Sequence, residues 1–246
     1  MTASQHHSAA VRDRLLEFAK SIPPDELMPT LASGAAELVA ENPFAFILAV
    51  ALDRGTRAEI IWTIPYWIRE ELGHLDPARL AQMTSEQILE VLSRIPRKPR
   101  YMRDAPQTIL EVARLVSNQF AGNADLIWRD RTAQEVKRDL RSIHGVGEGI
   151  ASMAVILLQR CRNVRFPDWS NMDVKPDVHV QRVLYRLAVA PGMSEGEALR
   201  AAANLNPEYP GALDPSLWVI GRRWCKDNAP FCSDCIMNDL CPKVGL

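Results

Sequence analysis

Apolar positions recur at helical spacing along almost the whole chain. Between residues 11 and 20, Val11, Leu15, Leu16 and Phe18 fall mostly on one side of a helix. Residues 24–41 open with Pro24, Asp25 and Glu26. Those residues suit a first helical turn, because proline has no N–H to lose there and carboxylates face the positive end of the helix dipole. Residues 44–52 are apolar on every side, which predicts a helix buried all round. Further helices are predicted over 58–72, 77–81, 85–93, 105–120, 132–143, 147–160, 178–187, 194–204 and 216–224. Several carry start signals: Asp76 ahead of Pro77, Thr84 or Ser85 with Glu86 following, Thr132, and Ser194 with Glu197 three residues on. No segment alternates at period two between hairpin turns, so the fold class is all-α.

With 246 residues, 47% of them hydrophobic and 24% charged, the chain can bury one sizeable core or two small ones. Collagen-like, low-complexity and disordered readings are excluded. The longest apolar runs, 43–52 and 150–158, fall short of the roughly 18–20 residues that span a bilayer, so no membrane partner is expected. The polar start MTASQHHSAAVRDR lacks an apolar signal core, and a cytoplasmic location is expected. A formal charge of −1 does not by itself suggest a nucleic-acid partner. The bases are unevenly placed, however. Arg94, Arg97, Lys98, Arg100 and Arg103 crowd a proline-rich, acid-free stretch that also holds Tyr101, while residues 1–42 carry more acids than bases. A solvated loop and a phosphate-contacting loop both fit that pattern.

Three constellations carry chemistry. Four of the five cysteines, Cys225, Cys232, Cys235 and Cys241, lie close together. An odd total and tight clustering argue against a disulfide framework and for a Zn²⁺ or [4Fe–4S] site. Cys161 stands alone and reads as a small buried hydrophobe. In Ile143-His144-Gly145-Val146-Gly147-Glu148-Gly149-Ile150-Ala151, a Gly-Val-Gly turn joins two helical patterns. Ile143, Val146 and Ala151 would pack the helices together, and the backbone N–H groups opening the second would face an anion. Asp177 follows Pro176 just before an amphipathic helix. There it is an N-cap, and capping fixes a carboxylate in place for chemistry as well.

Together, in this order and spacing, the three elements resemble the endonuclease III-like branch of the helix-hairpin-helix DNA glycosylases. Cys-x6-Cys-x2-Cys-x5-Cys is that branch's [4Fe–4S] signature, and Asp177-x-His179 followed by Arg182-Val183 adds weight. The resemblance reaches from Pro43-Phe44 to Cys241. It implies two helical lobes around a DNA-binding cleft: a six-helix bundle over 43–157 ending in the helix-hairpin-helix, and a cluster lobe made of 1–42 plus 158–246. It also implies a monomer, associated with the nucleoid, that binds double-stranded DNA containing a damaged or mispaired base and flips that base out. Asp177 would be the catalytic aspartate, and the four cysteines would hold the cluster. Gly145, Val146 and Gly147 would grip a phosphate. Arg97, Lys98, Arg100, Tyr101, Arg54, Arg57 and Lys226 would be further DNA contacts.

Departures from the family pattern shape the expected activity. Bifunctional members place a lysine nucleophile where this chain has Gly149, so a monofunctional glycosylase using Asp177 is expected. Lys175 is the alternative amine for a bifunctional glycosylase/AP lyase. A glutamine that fills the flipped base's gap in relatives falls at Gly55, with Arg54, Arg57 or Tyr101 as substitutes. Between Lys226 and Phe231 one base and one acid imply weaker phosphate contact from the cluster loop. Trp62, Tyr66, Trp67 and Trp169 are candidates both for the core and for stacking on a base. Two other classes compete with the enzyme. One is a non-catalytic DNA damage- or structure-binding protein with a structural cluster; the other is an interaction module built on zinc.

Overall fold

The computed structural model describes residues 3–246, with side chains from Gln5 onward. Met1 and Thr2, with which the expected cluster lobe begins, lie outside them. Among the described residues all regular structure is α-helix or short 3-10 helix. The chain divides into two compact units, Met28–Pro167 and the pair Met1–Leu27 with Asp168–Leu246.

The first unit is built around Pro43–Leu52, in which every residue from Phe44 to Leu52 is buried. Asn42 starts it by accepting the Ala45 N–H at 3.0 Å. It packs against Ser33–Glu41, Ile64–Leu72, Ala105–Gln119 and Glu148–Arg162. Phe46 meets Trp62 and Trp128 at ring distances of 5.8 and 6.1 Å. Trp62 is only 1% exposed, so it is core and takes no part in stacking on a base. No single described helix is long and apolar enough to cross a membrane; Ser33–Glu41 and Pro43–Leu52 qualify only as a pair bent by 107°.

Two expected helices are broken. The stretch 24–41 becomes Pro24–Leu27 and Ser33–Glu41. Pro29 lies between them and disfavours helical backbone at the residue before it. The stretch 58–72 becomes Ala58–Ile61 and Ile64–Leu72, interrupted before Pro65. There Thr63 Oγ1 donates to Glu59 O and accepts the Leu31 N–H at 2.8 Å. The unit boundaries also differ from those expected. Residues 28–42 join the bundle because Ala35, Leu38 and Val39 are buried against it. Residues 158–167 stay with it as well. Arg162 donates to Val39 O at 2.8 Å and lies 4.9 Å over the Phe46 ring.

The second unit draws on both ends of the chain. Val11 and Leu15 of helix Ala3–Ser21 share a core with Val180, Val183 and Leu184 of Val178–Arg186 and Leu217 and Ile220 of Asp214–Arg223. Gly221 lets the last two helices touch, since a Cβ there would lie 2.6 Å from His179 Cβ. Ser216 Oγ, fully buried, donates to Leu15 O at 2.6 Å. Among the expected caps, Asp76, Thr84, Thr132 and Ser194 all accept first-turn N–H bonds. Thr84 forms its capping box with Gln87, and the Glu197 carboxylate takes the Ser194 hydroxyl.

Candidate functional site

The Gly-Val-Gly hairpin joins helix Ala133–Arg141 to Glu148–Arg162. Ile143, Val146 and Ala151 are buried between them, as their spacing predicts. Gly145 has φ +81°, the left-handed region, and a Cβ there would collide with the Arg54 guanidinium. Gly147 has extended backbone, and nothing lies within 4 Å of where its Cβ would be. The start of Glu148–Arg162 is therefore approachable, as an anion site at a helix N-terminus requires. Glu148, in its first turn, pairs with Lys137 and with Arg141 at 3.1 Å.

Residues far apart in sequence meet at this hairpin. Arg54 Nη2 donates to Thr108 Oγ1 at 3.2 Å, and Thr108 Oγ1 donates to His144 O at 2.9 Å. Arg54 and Arg100 both stand over the Tyr101 ring, 5.5 and 5.8 Å from its centroid. Thr56 Oγ1 accepts the Arg100 N–H at 2.8 Å. Arg54, Arg100, Tyr101 and Gly145 thus form one patch, with Arg54 turned inward as a brace. Arg97, Arg100 and Arg103 are exposed, as is Arg57, 3.6 Å from Glu59. Arg94 is paired with Glu90, and Lys98 Nζ donates to Ile95 O at 3.0 Å.

Asp177 caps Val178–Arg186 as its position predicts. Its Oδ1 accepts the N–H groups of His179 at 2.8 Å and Val180 at 3.1 Å. The His179 imidazole meets Arg182 Nη2 at 3.0 Å. Burial holds its pKa below the ordinary histidine value, against the opposing charge of Asp177; arginine has donors only, so in this contact Nδ1 is the acceptor. Arg182 also donates to Cys225 O at 2.7 Å and Gly221 O at 3.2 Å.

Cys225, Cys232, Cys235 and Cys241 line one apolar cavity with Val183, Leu187 and Ile220. Burial pushes the Cys235 and Cys241 thiols up, and Cys225 and Cys232 raise both further. Arg186, itself buried, donates to Cys225 Sγ at 3.4 Å, to Lys226 O and to Asp227 O at 3.0 Å. Among the described residues, no three His, Cys, Asp or Glu side chains are gathered as ligands of one ion would be. Tetrahedral Zn²⁺, with Zn–S near 2.3 Å, would draw its sulfurs to about 3.8 Å from one another. A four-iron cubane offers each thiolate a separate corner and accepts wider spacing. Four cysteines lining one cavity supply the donor set that a [4Fe–4S] cluster takes. Lys226 turns back to the Arg222 carbonyl, so its ammonium is engaged at a helix end. Cys161, expected to be buried, is half-buried, and that burial pushes its thiol up to about 12.

Several participants were not anticipated. Thr108 and Glu111, which accepts the His144 N–H, hold the hairpin from helix Ala105–Gln119. Asp214 accepts the Lys175 N–H at 2.6 Å. Of the aromatic candidates, Tyr66 and Trp67 are half-buried, Arg69 covers the Tyr66 ring at 5.0 Å, and Trp169 is 52% exposed.

No protein-family model matches the chain. Endonuclease III of Sulfolobus acidocaldarius is 23% identical over 206 residues, which are 81% of this chain and 82% of that one. A trapped endonuclease III–DNA covalent intermediate with an estranged adenine shares the fold, with a TM-score of 0.65 at 20% identity over 99% of this chain and 97% of that one. A thermostable thymine-DNA glycosylase gives 0.64 at 16% identity over 98% of both chains.

Proposed function

We propose that the chain is a member of the endonuclease III-like branch of the helix-hairpin-helix DNA glycosylase superfamily, and from that premise that it is a monofunctional DNA glycosylase. It would act as a monomer on double-stranded DNA in the cytoplasm, removing a damaged or mispaired base. The observation that carries this reading is the Asp177 carboxylate, fixed through Oδ1 by two backbone N–H groups at the start of helix Val178–Arg186.

The chemistry follows from that placement. Hairpin N–H groups around Gly145, Val146 and Gly147 hold a phosphate, and Arg97, Arg100 and Tyr101 contact the strand near the target. As the bond from the sugar to the flipped base lengthens, positive charge develops on the sugar ring. A carboxylate held in position stabilises that charge without having to reorganise. Both capping bonds fall on Oδ1, which leaves Oδ2 to take a proton from the attacking water. The base departs and is protonated from solvent, and the strand remains intact. Gly149 supplies no amine, so a Schiff base cannot form at that position.

Cys225, Cys232, Cys235 and Cys241 are the residues that would hold a [4Fe–4S] cluster. Bound there, it would cross-link the loop 225–241; hydrolysis consumes no electrons, so its part is structural. Arg186 and Arg182 would pass that rigidity to the helix that Asp177 opens.

Duplexes carrying an alkylated purine, a deaminated base, a mispaired adenine or thymine, or an oxidised pyrimidine test the reading. The cluster-loaded protein should break at least one of them only after alkali. Breakage without alkali, or a covalent adduct trapped by borohydride, overturns the monofunctional reading; loss of that adduct in Lys175→Ala assigns the amine. No release from any duplex leaves the non-catalytic DNA-binding reading.

A further inference from the structure

The segment that delivers Asp177 is fastened at three places to the segment that opens helix Asp214–Arg223. The Trp169 and Tyr209 rings lie 6.1 Å apart. The Gly211 N–H donates to Met172 O at 2.7 Å. The Lys175 N–H donates to Asp214 Oδ1 at 2.6 Å. Approach is closest at the middle rung, where a Cβ on Gly211 would come within 2.5 Å of Met172 O. At the last rung the chain turns tightly, and the Asp177 N–H returns to Lys175 O at 2.8 Å. Only Pro176 separates the two residues, and its ring fixes φ near −65°. A force on the Lys175 amide therefore reaches Asp177 through few soft torsions.

Asp214 is 7% exposed. Burying a carboxyl group is costly unless it is hydrogen-bonded, and its position in the first helical turn favours negative charge. We propose that Asp214 is a positioning residue for Asp177: by accepting the Lys175 N–H it fixes the turn Lys175-Pro176-Asp177 and so aims the carboxylate that faces the sugar. This rests on the reading of Asp177 as the catalytic carboxylate. Lys175 and Asp177 are the charged groups that act on Asp214, from the same turn.

The test pairs hydrogen exchange with single-turnover base release on the full-length, cluster-loaded protein. In Asp214→Ala, the amides of residues 178–181 should exchange about 10-fold faster. Base release should fall about 10-fold, with duplex affinity within about twofold of wild type. Asp214→Asn keeps an acceptor at the same place and should restore both to within about threefold. Ser216→Ala, which removes a buried hydrogen bond of the same helix, should lower the melting temperature and change neither. Wild-type exchange at 178–181 in Asp214→Ala overturns the proposal, as does an Asn variant no better than Ala. If the wild type releases no base at all, the glycosylase reading fails, and exchange alone decides whether Asp214 holds the turn.

Discussion

Arg186 donates to Cys225 Sγ at 3.4 Å from the last turn of the helix whose first N–H groups Asp177 caps. Its guanidinium also closes on the carbonyls of Lys226 and Asp227, and the Arg186 carbonyl accepts from Cys241 Sγ at 3.2 Å. Arg186→Met would leave buried carbonyls without a donor, at a cost of about 3 kcal/mol. The variant should lose its visible absorbance to a chelator faster than wild type, and Arg186→Lys should fall between. Equal rates for all three would detach the arginine from the cysteine loop.

Asp177→Asn separates chemistry from capping. Asparagine caps a helix about as well as aspartate, so the melting temperature should change little. Base release should drop at least about 100-fold while the lesion duplex still binds. Parallel loss of binding and release would mean that the side chain serves affinity instead.

Gly145→Ala places a Cβ in the left-handed region and against the Arg54 guanidinium. The backbone strain alone costs about 1 kcal/mol, and DNA affinity should weaken as the hairpin shifts. Adding Arg54→Ala removes the collision, so the double variant should bind better than the sum of the two single losses implies. Additive losses would show that the two residues do not act on each other.

Stability should report Asp214 directly. Burial, with the charge of Asp177 adding to it and the Lys175 N–H opposing, raises its carboxyl from 3.8 to about 7. Between those values the folded protein binds the proton and the unfolded chain does not. The stabilisation from this group is therefore present at low pH and lost as pH rises through about 7. Asp214→Asn has no proton to lose, so its melting temperature should gain on wild type between about pH 4 and pH 7. A constant difference would mean the carboxyl stays ionised throughout.

The surface charges imply a shallow salt dependence. Arg94 pairs with Glu90 and Arg223 with Glu26, while Lys226 bonds to a carbonyl. Arg97, Arg100 and Arg103 remain exposed. Duplex binding should release fewer than about six counterions. A steeper slope in a salt titration would place more bases against the phosphates.

How much could be read from sequence depends on the reach of each interaction. Asp177, Thr84 and Thr132 bond to backbone groups two or three residues away, and their roles as caps were legible. The break at Thr63 was not, because its hydroxyl answers an N–H 32 residues away. Asp214, Thr108 and Glu111 likewise act over 39, 36 and 33 residues. Nothing in their own neighbourhoods marks them. Trp62 and Trp169 look alike as isolated aromatics, and only packing separates a core ring from an exposed one.

The second unit is assembled from the two ends of the chain, and this sets an order of events during synthesis. The unit Met28–Pro167 is contiguous and can condense on the ribosome. Helix Ala3–Ser21, made first, must wait: Arg14 finds Ile236 O at 2.7 Å and Asp239 at 3.0 Å only after more than two hundred further residues exist. The rungs that set Asp177 close with residues 209–214, and the cysteine loop with Cys241. A half-made chain therefore already presents its hairpin but lacks an organised carboxylate.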